Sequence, residues 1–220
     1  MEKVKGWWFG PETKRLGYGD GRQIRIGRTH KVKGEIIPCK SGLHLSRCII
    51  DALEYSPGPI IYKVEGSGEI HPHGSPIDKF ACSERTYLAG GFDCSKILHK
   101  FSRLCALDVI HLWDAPEIVV QYLKTGDESL RDAARAAARA AAARDAAGGA
   151  ARGAARAGAR GAAWAAARAA AWATARAAAR AAARGATRAA AWDAAWDAAR
   201  AKQNKRLTGM INRAINESRR

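Results

Sequence analysis

Apolar and polar positions change their spacing along this chain, and the spacing predicts its elements. Up to about Gly91, apolar residues alternate with polar ones or run in short blocks bounded by Gly and Pro, as half-buried strands do. "RQIRIGR" (22–28) sets Ile24 and Ile26 on one face and Arg25 on the other. "GEIIPC", "PIIYKVEGSGEI" and "DKFACSERTYL" are further strands, the last with Phe80, Cys82 and Tyr87 pointing inward. Gly17–Gln23 is a turn centred on Asp20-Gly21. "LSRCIIDALEYS" interrupts the strands as a helix capped by Ser46, with Cys48, Ile49, Ala52, Leu53 and Tyr55 as its apolar stripe.

From Asp93 the period becomes helical. "DCSKILHKFSRLCALDVIHLW" gathers Ile97, Leu98, Phe101, Leu104, Cys105 and Ile110 on one face, with Asp93 or Ser95 as cap. In "DAPEIVVQYLKTG", Asp114 caps, Pro116 suits the first turn, Glu117 completes a capping box and Thr125-Gly126 ends the helix. Alanine then dominates. Gly148-Gly149 is the natural turn, making a hairpin of 127–147 against the helix that follows, which Gly185 weakens. Leu207, Met210, Ile211 and Ile215 supply a last packing stripe. The expected class is α+β: a small mixed-sheet domain (1–92), connecting helices (93–126) and an Ala/Arg/Trp-rich helical hairpin or bundle (127–220).

Within the alanine-rich half, arginine or tryptophan recurs every fourth residue between Arg176 and Arg200. Each step of four carries a side chain about 40° further round a helix. If 162–200 is one helix, Trp164, Trp172, Trp192 and Trp196 fall within an arc of about 160°, and Arg176, Arg180, Arg184 and Arg188 on the opposite side. Arg160 and Arg168 break the rule and would lie at the edge of the tryptophan face, where long stems can snorkel. The expectation is a buried tryptophan face, against the rest of the protein or a second copy, and a solvent-facing arginine face.

Charge sharpens this picture. The chain carries a formal net charge of +16. Residues 1–125 hold 18 Lys and Arg against 14 Asp and Glu, and residues 126–220 hold 19 against 7. Such an imbalance favours anionic partners such as nucleic acid, nucleotides or acidic protein faces, although the arginines also keep an alanine-rich helix soluble. The candidate anion-binding residues are Arg168, Arg176, Arg180, Arg184 and Arg188. No long uncharged apolar run and no secretory signal occur, and the five cysteines are odd in number, so a cytoplasmic, reduced setting is expected, with no membrane partner.

Catalytic and metal chemistry find less. Cys39, His44 and Cys48, or His71, His73 and Cys82, have loose spacings without a paired ligand motif, so turn histidines and structural thiols are expected and no metal or cofactor. Cys94, beside an expected helix start and before Lys96, half meets the description of a reactive thiol. "GYGDG" lacks the Lys-Ser/Thr and helix of a phosphate loop. No catalytic residue is assigned.

"PCKSGLHLSRCIIDALEYSPGPIIYKVEGSGEIHPHGSPIDKFACSERTYL", then "LWDAPEIVVQYLKTGDESLRDAA" and the Ala/Arg/Trp tail, resembles an uncharacterised family of tailed-phage accessory proteins across essentially the whole chain. The resemblance implies a phage product acting in a bacterial cytoplasm. More remotely, Gly42, His44, Ser46, Ala52 and Tyr55 resemble the strand-and-helix pattern of ADP-ribosyltransferase-like domains, with Arg28 or His30 on the first strand and Glu84 as the late-strand acid. That likeness implies a pocket at His44, Tyr55 and Glu84. Three functions follow: an accessory protein presenting arginines to nucleic acid or a nucleotide; a phage inhibitor of a host defence protein, or a sequestering agent for a small anionic signal; and a transferase.

Overall fold

The computed structural model describes residues 2–142, 163–182 and 188–218. Its fold is α+β, with a five-stranded sheet in which every pairing is antiparallel. The strands are β1 (Val4–Gly10), β2 (Thr29–Lys31), β3 (Leu43–Leu45), β4 (Ile60–His73) and β5 (Lys79–Asp93). The order is β1-β4-β5-β2, and β3 shares the far edge of β5 with β2. Leu43–Leu45 pair with Phe80–Cys82, and Thr29–Lys31 with Glu84–Thr86.

Just after β3 the sheet closes on itself. Ser46 exchanges two backbone hydrogen bonds with Trp7 on the outer edge of β1, at 2.8 and 3.0 Å. Gly6 permits the approach, because a Cβ there would collide with the Ser46 carbonyl. Ser46 is therefore a sheet residue and not a helix cap. The short helix α1 (Ile49–Glu54) starts after Cys48 and buries Ile49, Ala52 and Leu53, while Tyr55 stays exposed. Val4, Leu45, Tyr62, Val64, Cys82 and Tyr87 belong to one apolar cluster of this sheet.

Two expected strands are absent. Residues 22–28 contribute only a bridge between Gln23 and Arg15, with Ile24 buried and Ile26 exposed, and "GEIIPC" is loop. The first stretch alternates and the second is β-branched, but neither pairs as a strand, because strand-like composition alone does not supply a partner. "HPHG" is not a turn throughout: His71–His73 finish β4, and the reversal comes at Gly74 and after.

The helices are α2 (Ser95–Asp108), α3 (Glu117–Thr125), α4 (Arg131–Ala142), α5 (Ala163–Ala182) and α6 (Arg188–Glu217). Helix α2 buries Leu98, Phe101 and Cys105 as expected but stops at Asp108, and a 3-10 turn follows at Ile110–Leu112. Pro116, not Asp114, is the cap of α3; its ring already holds a helical φ and lacks the N–H that a cap would satisfy. Gly126 ends α3 with φ 71°, as a left-handed cap does. The turn assigned to Gly148-Gly149 lies outside the described residues. No helix among the described residues is long and apolar enough to cross a membrane.

The chain divides into two compact units, Met1–Cys94 with Thr208–Arg220, and Ser95–Leu207. In the second, Ala106, Val109, Val119, Tyr122, Leu123, Ala134, Ala138 and Ala177 make one cluster. Helices α5 and α6 are not one straight rod. Trp172 and Trp196 meet edge to face with ring centroids 6.1 Å apart, and Gln203 Nε2 donates to the Ala171 carbonyl at 3.0 Å. In a continuous helix the two tryptophans would be roughly 36 Å apart. Ala163–Ala182 and Arg188–Glu217 are separate helices in contact, so a single angular register across 162–200 does not hold.

Candidate anion-binding sites

Among the described side chains of α5, alanines and not Trp172 form the buried side. Ala171, Thr174, Ala175, Ala177 and Ala179 are buried, whereas Trp172 is 46% exposed and Trp196 half-buried. Small side chains let helices approach closely, and Thr174 Oγ1 donates to the Cys105 carbonyl near the end of α2 at 3.1 Å. Arg176 is half-buried, its guanidinium 5.2 Å from the centre of the Trp172 ring. It is one helical turn beyond that tryptophan, so the two share a side of α5 and the expected opposition fails here. Arg168 and Arg180 lie on α5 and Arg188 opens α6, but their side chains, like that of Trp164 and all of Arg184, lie outside the described residues.

The expected division of faces occurs on α4 instead. Ala134 and Ala138 are buried, and Arg135 and Arg139, each one residue on, are exposed. The same four-residue spacing that marked Arg176 onward is already present at Arg131, Arg135 and Arg139. Lys205 on α6 is exposed as well. Other cations serve structure. Arg206 grips Asp108 through both terminal nitrogens at 2.7 and 3.0 Å, and Lys202 adds a third bond at 3.0 Å. Burial works to raise the Asp108 pKa, but these hydrogen bonds and charges outweigh it and hold the carboxyl below its usual range.

In the first unit, His44 and Tyr55 share a neighbourhood. His44 Nε2 accepts the Cys39 backbone N–H at 3.2 Å, and burial, then the charges of Lys79 and Arg85, push its pKa down to about 4. Tyr55 donates to Asp78, and the Lys79 ammonium lies 3.7 Å from the centre of its ring. Cys39 Sγ is 3.5 Å from His73 Nε2. Glu84 is not part of this group. It pairs with Lys31 at 2.7 Å and accepts from Ser67 at 3.4 Å, and these bonds lower its pKa. Among the described residues no group of three or more His, Cys, Asp or Glu could hold a metal. Cys94 is fully buried, donates to the Pro59 carbonyl at 2.9 Å and has its thiol pKa driven up by burial, so it is no nucleophile.

The most unusual residue escaped the sequence reading. Arg85, on β5, is 2% exposed. Its guanidinium lies 3.9 Å from the Trp8 ring centre and 5.1 Å from that of Tyr87. One terminal nitrogen donates to the His44 carbonyl and the other to Tyr87 Oη at 2.8 Å. No ion pair among the described residues includes Arg85. His30 faces it across the β2–β5 pairing, with Nδ1 3.2 Å from Tyr87 Oη. Burial, and then the charges of Arg22, Arg85 and Arg28, lower the His30 pKa and keep the ring neutral. Tyr62 completes the group, its ring 5.4 Å from Tyr87 and 5.6 Å from Trp8. Burial pushes its hydroxyl pKa up to about 12.

Comparison with family models, curated proteins and solved structures gives no match. The class that the fold and sites support is thus set by physical chemistry alone: an α+β protein with exposed cations on its helical unit and a buried arginine in its sheet unit.

Proposed function

We propose that this is a phage-type accessory binding protein, without catalytic activity, whose helical unit holds nucleic acid by its phosphates. The observation that carries the reading is the charge of residues 126–207 of that unit, 16 cations against 6 acids, with Arg135 and Arg139 exposed over a buried alanine stripe. Arginines on an alanine scaffold supply charge and paired donors but no pattern that would read bases. Affinity should therefore be insensitive to sequence and strongly dependent on salt. The transferase reading receives no such support, because Glu84 is committed to Lys31 and Ser67, away from the partners of His44 and Tyr55.

Fluorescence anisotropy with a short labelled duplex tests the proposal. Each phosphate contact contributes a slope of about −0.9 to log K against log salt. Replacing Arg135 and Arg139 together by Gln should reduce that slope by about two contacts. Absence of binding at 50 mM salt, or an affinity unchanged between 50 and 200 mM, would overturn it.

A further inference from the structure

The Arg85 cluster holds donors without acceptors. Arg85 Nε, His30 Nε2 and Tyr62 Oη are buried and have no hydrogen-bond partner among the described residues. The direction of each proton follows from the network. Tyr87 Oη accepts from Arg85, which leaves its own proton for His30 Nδ1. The imidazole proton then resides on Nε2, and His30 Nε2 is a donor. Tyr62, a neutral phenol, donates too, as does Arg85 Nε. Arg85 lies over the Tyr87 ring, and the His30 and Tyr62 ring centres are 5.3 and 5.4 Å from that of Tyr87. Three unpaired donors and one uncompensated positive charge are thus neighbours of a single ring.

An arrangement of this kind is costly unless something accepts from it. A buried donor left unpaired costs on the order of 1–3 kcal/mol, and a buried charge without a partner more. Stacking on Trp8 recovers only part of that. A water could accept from each donor, but it brings no charge against the guanidinium. Arg22 and Arg28 act on His30 from nearby, so the surroundings add positive charge. The acid within range, Asp20, is occupied by Arg22 through both oxygens at 2.7 Å.

We propose that this cluster binds one tetrahedral oxyanion, a phosphate or the phosphomonoester end of a small metabolite, through Arg85 Nε, His30 Nε2 and Tyr62 Oη. Trp8 is the half-buried ring of the cluster. The site belongs wholly to the first unit and is independent of nucleic-acid binding by the helical unit.

Inorganic phosphate, titrated into the full chain by calorimetry with chloride at matched ionic strength as control, provides the test. The expected result is saturable binding of one phosphate per chain that chloride does not reproduce. A nucleoside monophosphate in a parallel titration separates the sources: tighter binding than phosphate assigns a phosphomonoester, and equal or weaker binding assigns the free ion. Tyr62→Phe should weaken phosphate at least about tenfold while leaving the thermal midpoint without phosphate unchanged or raised, since it removes an unpaired buried hydroxyl. Arg85→Lys should abolish binding. Arg135→Gln with Arg139→Gln should leave phosphate affinity intact. Phosphate that binds no better than chloride, or binds Tyr62→Phe as tightly as the parent chain, would overturn the proposal.

Discussion

Arg85 of the sheet unit and the exposed arginines of the helical unit use positive charge in opposite ways. In the sheet unit Arg85 is 2% exposed, wrapped in aromatic rings, and held by a carbonyl and a phenol. In the helical unit alanines go inside and cations such as Arg135 and Arg139 stay in water. The first arrangement suits a single close contact of defined geometry, because desolvation strengthens every interaction around the guanidinium. The second suits long-range attraction that tolerates many orientations and weakens with salt. Net charge alone cannot distinguish them; what matters is which side chains surround the cation.

The comparison can be tested first where it should produce the largest difference. Phe9→Ala removes a fully buried ring of the sheet unit and should cost about 3–5 kcal/mol in denaturant unfolding. Trp172→Ala, at 46% exposure, should cost only about 1 kcal/mol. Equal losses would show that aromatic anchoring matters alike in both units. Next is Asp108→Asn, which leaves Arg206 and Lys202 without their shared carboxylate and should destabilise by about 1.5–3 kcal/mol. Because the folded-state pKa of Asp108 is depressed, its contribution is present above the unfolded value near pH 4 and is lost as pH falls through the lower folded value. The Asn variant should lack that acid-side loss in a pH series of unfolding midpoints.

A smaller effect tests the alanine packing. Ala138→Leu should overfill its site and cost about 1–3 kcal/mol, whereas Arg139→Gln, one residue on, should change stability by less than about 0.5 kcal/mol. The last test is a titration that needs no substitution. His44 should show an NMR midpoint about 4, so stability declines as pH falls from about 6.5, where the unfolded chain begins to take up protons, towards 4. A midpoint near 6.5 would mean that the ring is solvated.

Long elements were legible in the sequence where one signal dominated. Gly126 ended α3 because only a left-handed cap explains Gly there, and Leu98, Phe101 and Cys105 kept a helical stripe. Short strand-like segments were not legible, since 22–28 alternates and 34–39 is β-branched, yet neither pairs as a strand. The tetrad of α5 and α6 misled because a repeat of four was projected across two separate helices as if they were one. Arg85 had a readable signal in parity. Phe80 and Cys82 are an odd number of residues from Tyr87, so all three can be buried together only if alternation slips, and the β4–β5 register shifts opposite 82–84. Tyr87 inward then carries Arg85 inward with it. Polar neighbours in "SERTY" concealed this, and no local pattern could place His30 and Tyr62 beside it.

The make-up of the first unit has a consequence for the order of events on the ribosome. Met1–Cys94 and Thr208–Arg220 belong together, and the residues between them, Ser95–Leu207, must be synthesised before the second piece exists. At roughly 5–20 residues per second that interval lasts about 6–23 s. Ile211 and Ile215, buried in the finished fold, belong to that second piece. During the delay the nascent sheet lacks a segment of its own unit, and a chain stalled before Thr208 would carry that deficit permanently.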